Sequence, residues 1–172
     1  MLDTIFGLPL HPLIVHATVV LVPTATFLVA LAAVYPRFRN WVGPVPALAA
    51  LVSCVLVPLS TGSGEELEHR VGDTALVEKH AELADTLIWF VIPLTLFAVA
   101  GYWMHRRATA GRAAGKGLVA VVAAGAVLLS GATLVDVALI GHSGAKAAWS
   151  STTGSSSGSG SANGASSDDD GN

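Results

Sequence analysis

Cysteine and charge are what this chain of 172 residues has least of. The lone Cys54 leaves no disulfide framework and no paired-cysteine metal site. Charged residues make up 12% of the sequence, against roughly a quarter in soluble domains, which excludes a soluble globular enzyme. A net charge of −3 excludes a basic nucleic-acid binder. Catalytic signatures are missing too: there is no HExxH helix, no defensible Ser-His-Asp set and no nucleotide-binding loop. The GRAAGKG run at 111–117 has one residue too few between its glycines for a phosphate loop. It also lacks the hydroxyl residue after the lysine and follows no strand.

What the chain has instead is apolar length. Hydrophobic residues account for 52% of the sequence and the mean hydropathy is +0.63. A bilayer core about 30 Å thick takes roughly 20 apolar residues per helix. Four stretches meet that length, at 13–34, 42–60, 83–104 and 118–140. The expected fold is all-α: an integral membrane four-helix bundle over residues 1–149, followed at 150–172 by a disordered Ser/Gly-rich C-terminal tail ending in Asp168, Asp169 and Asp170. Pro12, Pro44 and Pro46 punctuate helix starts, and Pro23, Pro58 and Pro93 lie within spans. The first span is kept as a mature helix and not a cleaved signal, because Asp3 precedes it with no Lys or Arg and the apolar run is long. Small residues in the fourth span, among them Ala124, Gly125 and Gly131, suit close helix packing.

Charge placement predicts orientation. Arg37 and Arg39 follow the first span, and Arg106, Arg107, Arg112 and Lys116 follow the third, with no acidic residue in either connection. These connections are expected in the cytoplasm. The stretch between the second and third spans carries Glu65, Glu66, Glu68, Asp73, Glu78 and Glu82 against Arg70 and Lys79, and is expected outside as a loop together with both termini. Tyr35, Phe38, Trp41, Tyr102 and Trp103 would form an inner aromatic belt, with Phe6 and Trp149 at the outer boundary.

Histidines then sort by side. His11 and His16 start the first helix at the outer face, His69 and His80 lead into the third, and His142 follows the fourth. His105 sits inside beside Arg106 and Arg107. Imidazole suits haem iron, zinc and copper, and bundle sites draw ligands from facing helices. His11, His16, His80 and His142 are therefore the candidate cofactor or metal ligands, while His69 reads as a hydrophilic loop residue. The five-residue step from His11 to His16 turns a helix by about 500°, so the two would meet one centre only if His11, ahead of Pro12, caps the helix. Asp136, inside the fourth span, is a candidate acceptor that orients a histidine ligand, a proton-relay group or a carboxyl bonded to a neighbouring helix. Asp85 is expected as an N-terminal carboxylate of the third helix.

At these residues the chain resembles a bacterial family of predicted four-helix membrane proteins, catalogued as a domain of unknown function. The resemblance rests on GLPLHPLIVH (7–16), the Thr61-Gly62 pair, His80 and GHSGAKAAW (141–149). It implies a multi-pass protein of the bacterial cytoplasmic membrane. Some members resemble membrane modules associated with Rieske-type redox proteins, which implies an electron-transfer setting and b-type haem. Departures are the Ala17-Thr18 pair after His16, where an aromatic is common, and the absence of a fused Rieske cysteine and histidine set. Any redox partner would be a separate protein.

Two functional classes follow, both of binding and not of catalysis. The first is a haem b protein passing electrons to a separate redox partner, with Arg70, Lys79 or Lys146 near the propionates and Ala17, Ala81 and Ala84 making room. The second is a zinc or copper membrane protein for transport or sensing, using the same histidines with Glu78, Glu82 or Asp136. A structural or assembly subunit without cofactor, or a homo-oligomer, fits the same residues.

Overall fold

The computed structural model describes residues 4–5, 8–71 and 74–154, with side chains from Pro12 to Gly64 and from Thr74 to Trp149. Two short strands, β1 (Thr4–Ile5) and β2 (Leu8–Pro9), pair antiparallel ahead of five helices. These are α1 (Leu10–Val34), α2 (Pro36–Val42), α3 (Val45–Val71), α4 (Ala75–Thr109) and α5 (Lys116–Gly154). All but α2 are long and apolar enough to cross a membrane, through Pro12–Val34, Val45–Gly64, Ala75–Thr109 and Lys116–Trp149. The fold is thus the expected all-α membrane bundle.

Its helices overrun the hydrocarbon. At 1.5 Å per residue, the 35 residues of α4 and 39 of α5 extend about 50 and 60 Å, well past a core of about 30 Å. The acidic stretch expected as a loop is consequently mostly helix, with α3 running to Val71 and α4 beginning at Ala75. Local chemistry explains the early start of α4. The Thr74 side chain accepts from the Val77 backbone N–H at 3.3 Å, and Glu78 lies in the first turn, where the helix dipole favours it. Asp85 therefore lies within α4 and is not its N-terminal carboxylate. At the other end of the bundle, α2 occupies the first short connection, with Pro36 at its first turn. Gly43, at φ +56°, turns the chain from α2 toward α3, and Gly111, at φ +75°, follows the end of α4. The low-complexity extension beyond Gly154 lies outside the described residues.

Each long helix packs on its neighbours in sequence, and α1 closes the ring against α5. Two apolar layers fill the centre: Val22, Val57, Leu87 and Val91, then Val29, Ala50, Leu94 and Ala126. Polarity is partly inverted relative to a soluble bundle. Val20, Leu128 and Trp89 are exposed on the outer surface, while Thr26, Ser53, Thr95, Ser130 and Thr133 are buried. An apolar exterior of this extent is a lipid-facing surface. Buried hydroxyls are satisfied by carbonyls one turn back, as in Thr26 to Val22 at 2.7 Å and Thr133 to Leu129 at 2.7 Å. Others fasten helices together. Thr95 donates to the Ala50 carbonyl at 3.1 Å, joining α4 to α3, and Ser130 donates to the Thr26 carbonyl at 3.3 Å, joining α5 to α1.

Candidate functional site at the histidine end

Between the four long helices, at the end where α1 and α5 carry their histidines, lies a cavity of about 510 Å³. Its walls are mostly apolar and small, with Val19 and Val22 from α1, Val57 from α3, Ala81 and Ala84 from α4 and Gly141 from α5. His80 lines it. None of the other described imidazoles does.

Two residues of α5 seat the His80 ring. Its Nδ1 lies 3.0 Å from Ser143 Oγ, and Ser143 Oγ donates to the Ile140 carbonyl at 2.8 Å. A hydroxyl has one proton to give. With that proton on Ile140, Ser143 accepts from His80, so the neutral ring carries its hydrogen on Nδ1 and keeps the Nε2 lone pair free. The ring lies against Gly144, where a Cβ would stand 3.0 Å from Cε1, 3.3 Å from Nδ1 and 3.6 Å from Nε2. The Gly-His-Ser-Gly segment thus acts through Ser143 and Gly144: one orients His80 and the other leaves space for it.

Other candidates stand apart. His142 is exposed, because a step of one residue from Ser143 turns the helix by about 100° away from α4. His16 is exposed too, and its Nδ1 donates to the Pro12 carbonyl one turn back at 2.5 Å. The partner of this ring is therefore its own backbone. The side chains of His11 and His69 lie outside the described residues. Among the described residues, no group of three or more His, Cys, Asp or Glu side chains is placed to hold a metal ion.

Asp136 sits on α5 seven residues before Ser143, hence about 20° from it around the helix, and faces the same α4 seam. Its Oδ1 accepts from Thr86 Oγ1 at 3.1 Å, while Oδ2 is buried without a hydrogen-bond partner. Its partner is a threonine and not a histidine. Thr86 also lies 2.7 Å from the Leu83 carbonyl, so one hydroxyl proton serves two acceptors. Asp85, displaced from the helix start into its body, lines the cavity.

Residues 7–157 match the model of a family described as a predicted membrane protein, DUF2231. The chain belongs to this family. No curated protein and no solved structure matches it. The family match spans everything described above from β2 onward, including His80, Ser143 and Gly144, and assigns no function to them.

Ser143, Gly144 and Thr86 are the site residues that sequence reasoning missed. A signal for Gly144 was present. Gly141, Gly144 and Ala145 recur at helical spacing and form a concave strip of small side chains, which a large ring on a neighbouring helix can fill.

Proposed function

We propose that this membrane protein holds a b-type haem at its histidine end, with His80 as the iron ligand, and exchanges electrons with a separate redox protein. The observation that carries the reading is the His80 ring, held through Nδ1 at 3.0 Å from Ser143 Oγ on the wall of a four-helix cavity. Metal-bound imidazoles ordinarily donate their other ring N–H to a fixed acceptor, which sets tautomer and ring plane. The donor chemistry therefore fits, and the apolar walls suit a macrocycle. Bound haem would supply a one-electron couple, which the apolar surroundings and the Ser143 contact would tune. Among the described side chains, one imidazole lines the cavity, so the reading rests on one protein ligand. Placing the arginine end in the cytoplasm and the histidine end outside belongs to the same proposal, on the excess of Arg and Lys in the first and third connections.

The test is optical and elemental. Protein expressed with an adequate haem supply and purified in detergent should carry iron and a Soret band of high-spin, single-imidazole type. His80→Ala should lose that band, while His16→Ala and His142→Ala keep it. Preparations without a Soret band or iron would overturn the haem reading, and stoichiometric zinc or copper would move the site to a metal ion.

One set of contacts favours a second reading. His80 with Ser143 and Thr86 with Asp136 both tie α4 to α5, as a purely structural fastening would. In that case His80→Ala lowers stability and changes neither bound metal nor any spectrum.

A further inference from the structure

The opposite end of the bundle holds a second cavity, of about 140 Å³, several times the space a single water needs. Its walls are largely apolar, from Val29 and Ala33 of α1, Ala47 of α3 and Phe97 of α4, with Ala126 of α5 at its base. Three polar side chains face it: Arg39 on α2, and Tyr102 and His105 on α4. Arg39 Nε is buried there with no hydrogen-bond partner. A buried guanidinium N–H without an acceptor is strongly disfavoured, and folded chains rarely leave one.

No carboxylate lies near it in the sequence to accept from it. Arg37, Arg39, Arg106, Arg107, Arg112 and Lys116 gather here, and the sequence has no Asp or Glu between Asp3 and Glu65 or between Asp85 and Asp136. Arg107 is engaged elsewhere, stacked over Trp103 with its guanidinium carbon 4.6 Å from the ring centroid. Arg39 is the cation that turns inward. A surplus of cations without a carboxylate beside an unpartnered guanidinium N–H favours an anion from outside the chain as its acceptor.

We propose that this cavity binds the phosphate of an anionic phospholipid, with Arg39 as the direct donor and Tyr102 and His105 completing the polar wall. Arginine is suited to phosphate by its planar set of donors. Two observations select a lipid over free phosphate. The remaining walls are apolar, as the glycerol and first acyl carbons require. The surrounding rim exposes Tyr35, Trp41 and Trp103, the residue types that settle at the headgroup level of a bilayer. The short helix α2 then acts as a headgroup-level clamp that holds Arg39 over the bundle end. This site is independent of the histidine-end reading and stands or falls separately.

The experiment uses the full chain, purified in detergent and delipidated, with native mass spectrometry reading bound mass. Short-chain phosphatidylglycerol should bind at one molecule per chain, at least tenfold more tightly than short-chain phosphatidylcholine or inorganic phosphate. Arg39→Gln should weaken phosphatidylglycerol about tenfold and Arg39→Lys less. Arg107→Gln, which removes the same charge from an exposed stacked position, should leave affinity within about twofold, with helix content checked for each variant. Three results would overturn the proposal: equal binding of the two lipids, inorganic phosphate binding as tightly as the lipid, or equal losses in Arg39→Gln and Arg107→Gln. The last would mean diffuse surface attraction and no site.

Discussion

Gly144→Ala sets two opposing effects against each other at the seat of His80. Alanine in a helix interior is favoured over glycine by about 1 kcal/mol. Against this, the new Cβ would lie 3.0 Å from His80 Cε1 and 3.3 Å from Nδ1, so the ring has to retreat by a few tenths of an ångström. It cannot do so freely, because Nδ1 is held at 3.0 Å by Ser143, the residue immediately before Gly144. Overfilling a packed contact costs about 1–3 kcal/mol, and stretching the Ser143 bond forfeits up to about 1 kcal/mol more. The net expectation is a destabilisation within about 0–3 kcal/mol, or up to several degrees in Tm at about 2–4 °C per kcal/mol for a chain of this size. Gly131→Ala is the internal reference, since a Cβ there meets nothing within 4 Å, and it should be neutral or stabilising by up to about 1 kcal/mol. Unfolding of both variants in detergent, followed by circular dichroism, makes the comparison. Equal stability of Gly144→Ala and Gly131→Ala would show that the ring does not rest on Gly144, and the account of the Gly-His-Ser-Gly segment would fail with it.

Two further expectations concern the α4–α5 seam. A Cβ at Gly125 would clash with the Phe97 ring, so Gly125→Ala should destabilise by about 1–3 kcal/mol, and most of that penalty should vanish in a Phe97→Ala background; an undiminished penalty in the double-mutant cycle would assign it elsewhere. Asp136→Leu removes a carboxyl oxygen that is buried without a partner and leaves Thr86 bonded to Leu83, so it should stabilise the isolated protein by about 1–2 kcal/mol. A loss of stability in the same unfolding assay would mean that Asp136 has a partner essential to the fold.

The membrane architecture was legible because it depends on quantities that a sequence carries directly: four apolar runs of sufficient length and a scarcity of charge. Element ends were less legible. The stretch from Glu65 to Glu82 reads as a loop by polarity, yet Glu, Lys, Leu and Ala are good helix formers once outside the hydrocarbon, and Thr74 supplies a cap. Polarity marks where lipid ends and does not mark where a helix ends. The candidate site shows the same division. His80 stood out as an imidazole near a span, but whether His16 or His142 faced the same point depended on rotation about each helix axis. That rotation is set by packing, which favours Ser143 and Gly144 toward α4 and leaves His142 outward. At the other end, the lack of acids beside Arg39 was visible in the sequence as an orientation signal. Its consequence for an inward-turned guanidinium appears only when α2 is folded over the bundle end.

The placement of polar contacts also explains why the larger cavity lies where it does. On α5, Asp136 and Ser143 are seven residues apart and meet Thr86 and His80 of α4, so this seam carries two side-chain hydrogen bonds across the histidine-end half. The α3–α4 and α1–α5 seams carry theirs deeper, at Thr95 with Ala50 and Ser130 with Thr26, below the layer formed by Val22, Val57, Leu87 and Val91. Helices α4 and α5 are thereby locked as a pair at and above that layer, while α1 and α3 approach them through valines and small residues that leave space. A group taken up by the cavity would be held on the rigid side by His80 and its Ser143 anchor, and admitted from the side of α1 and α3, where separation costs only apolar contact. In lipid, which replaces such contacts with its own chains, that cost is small.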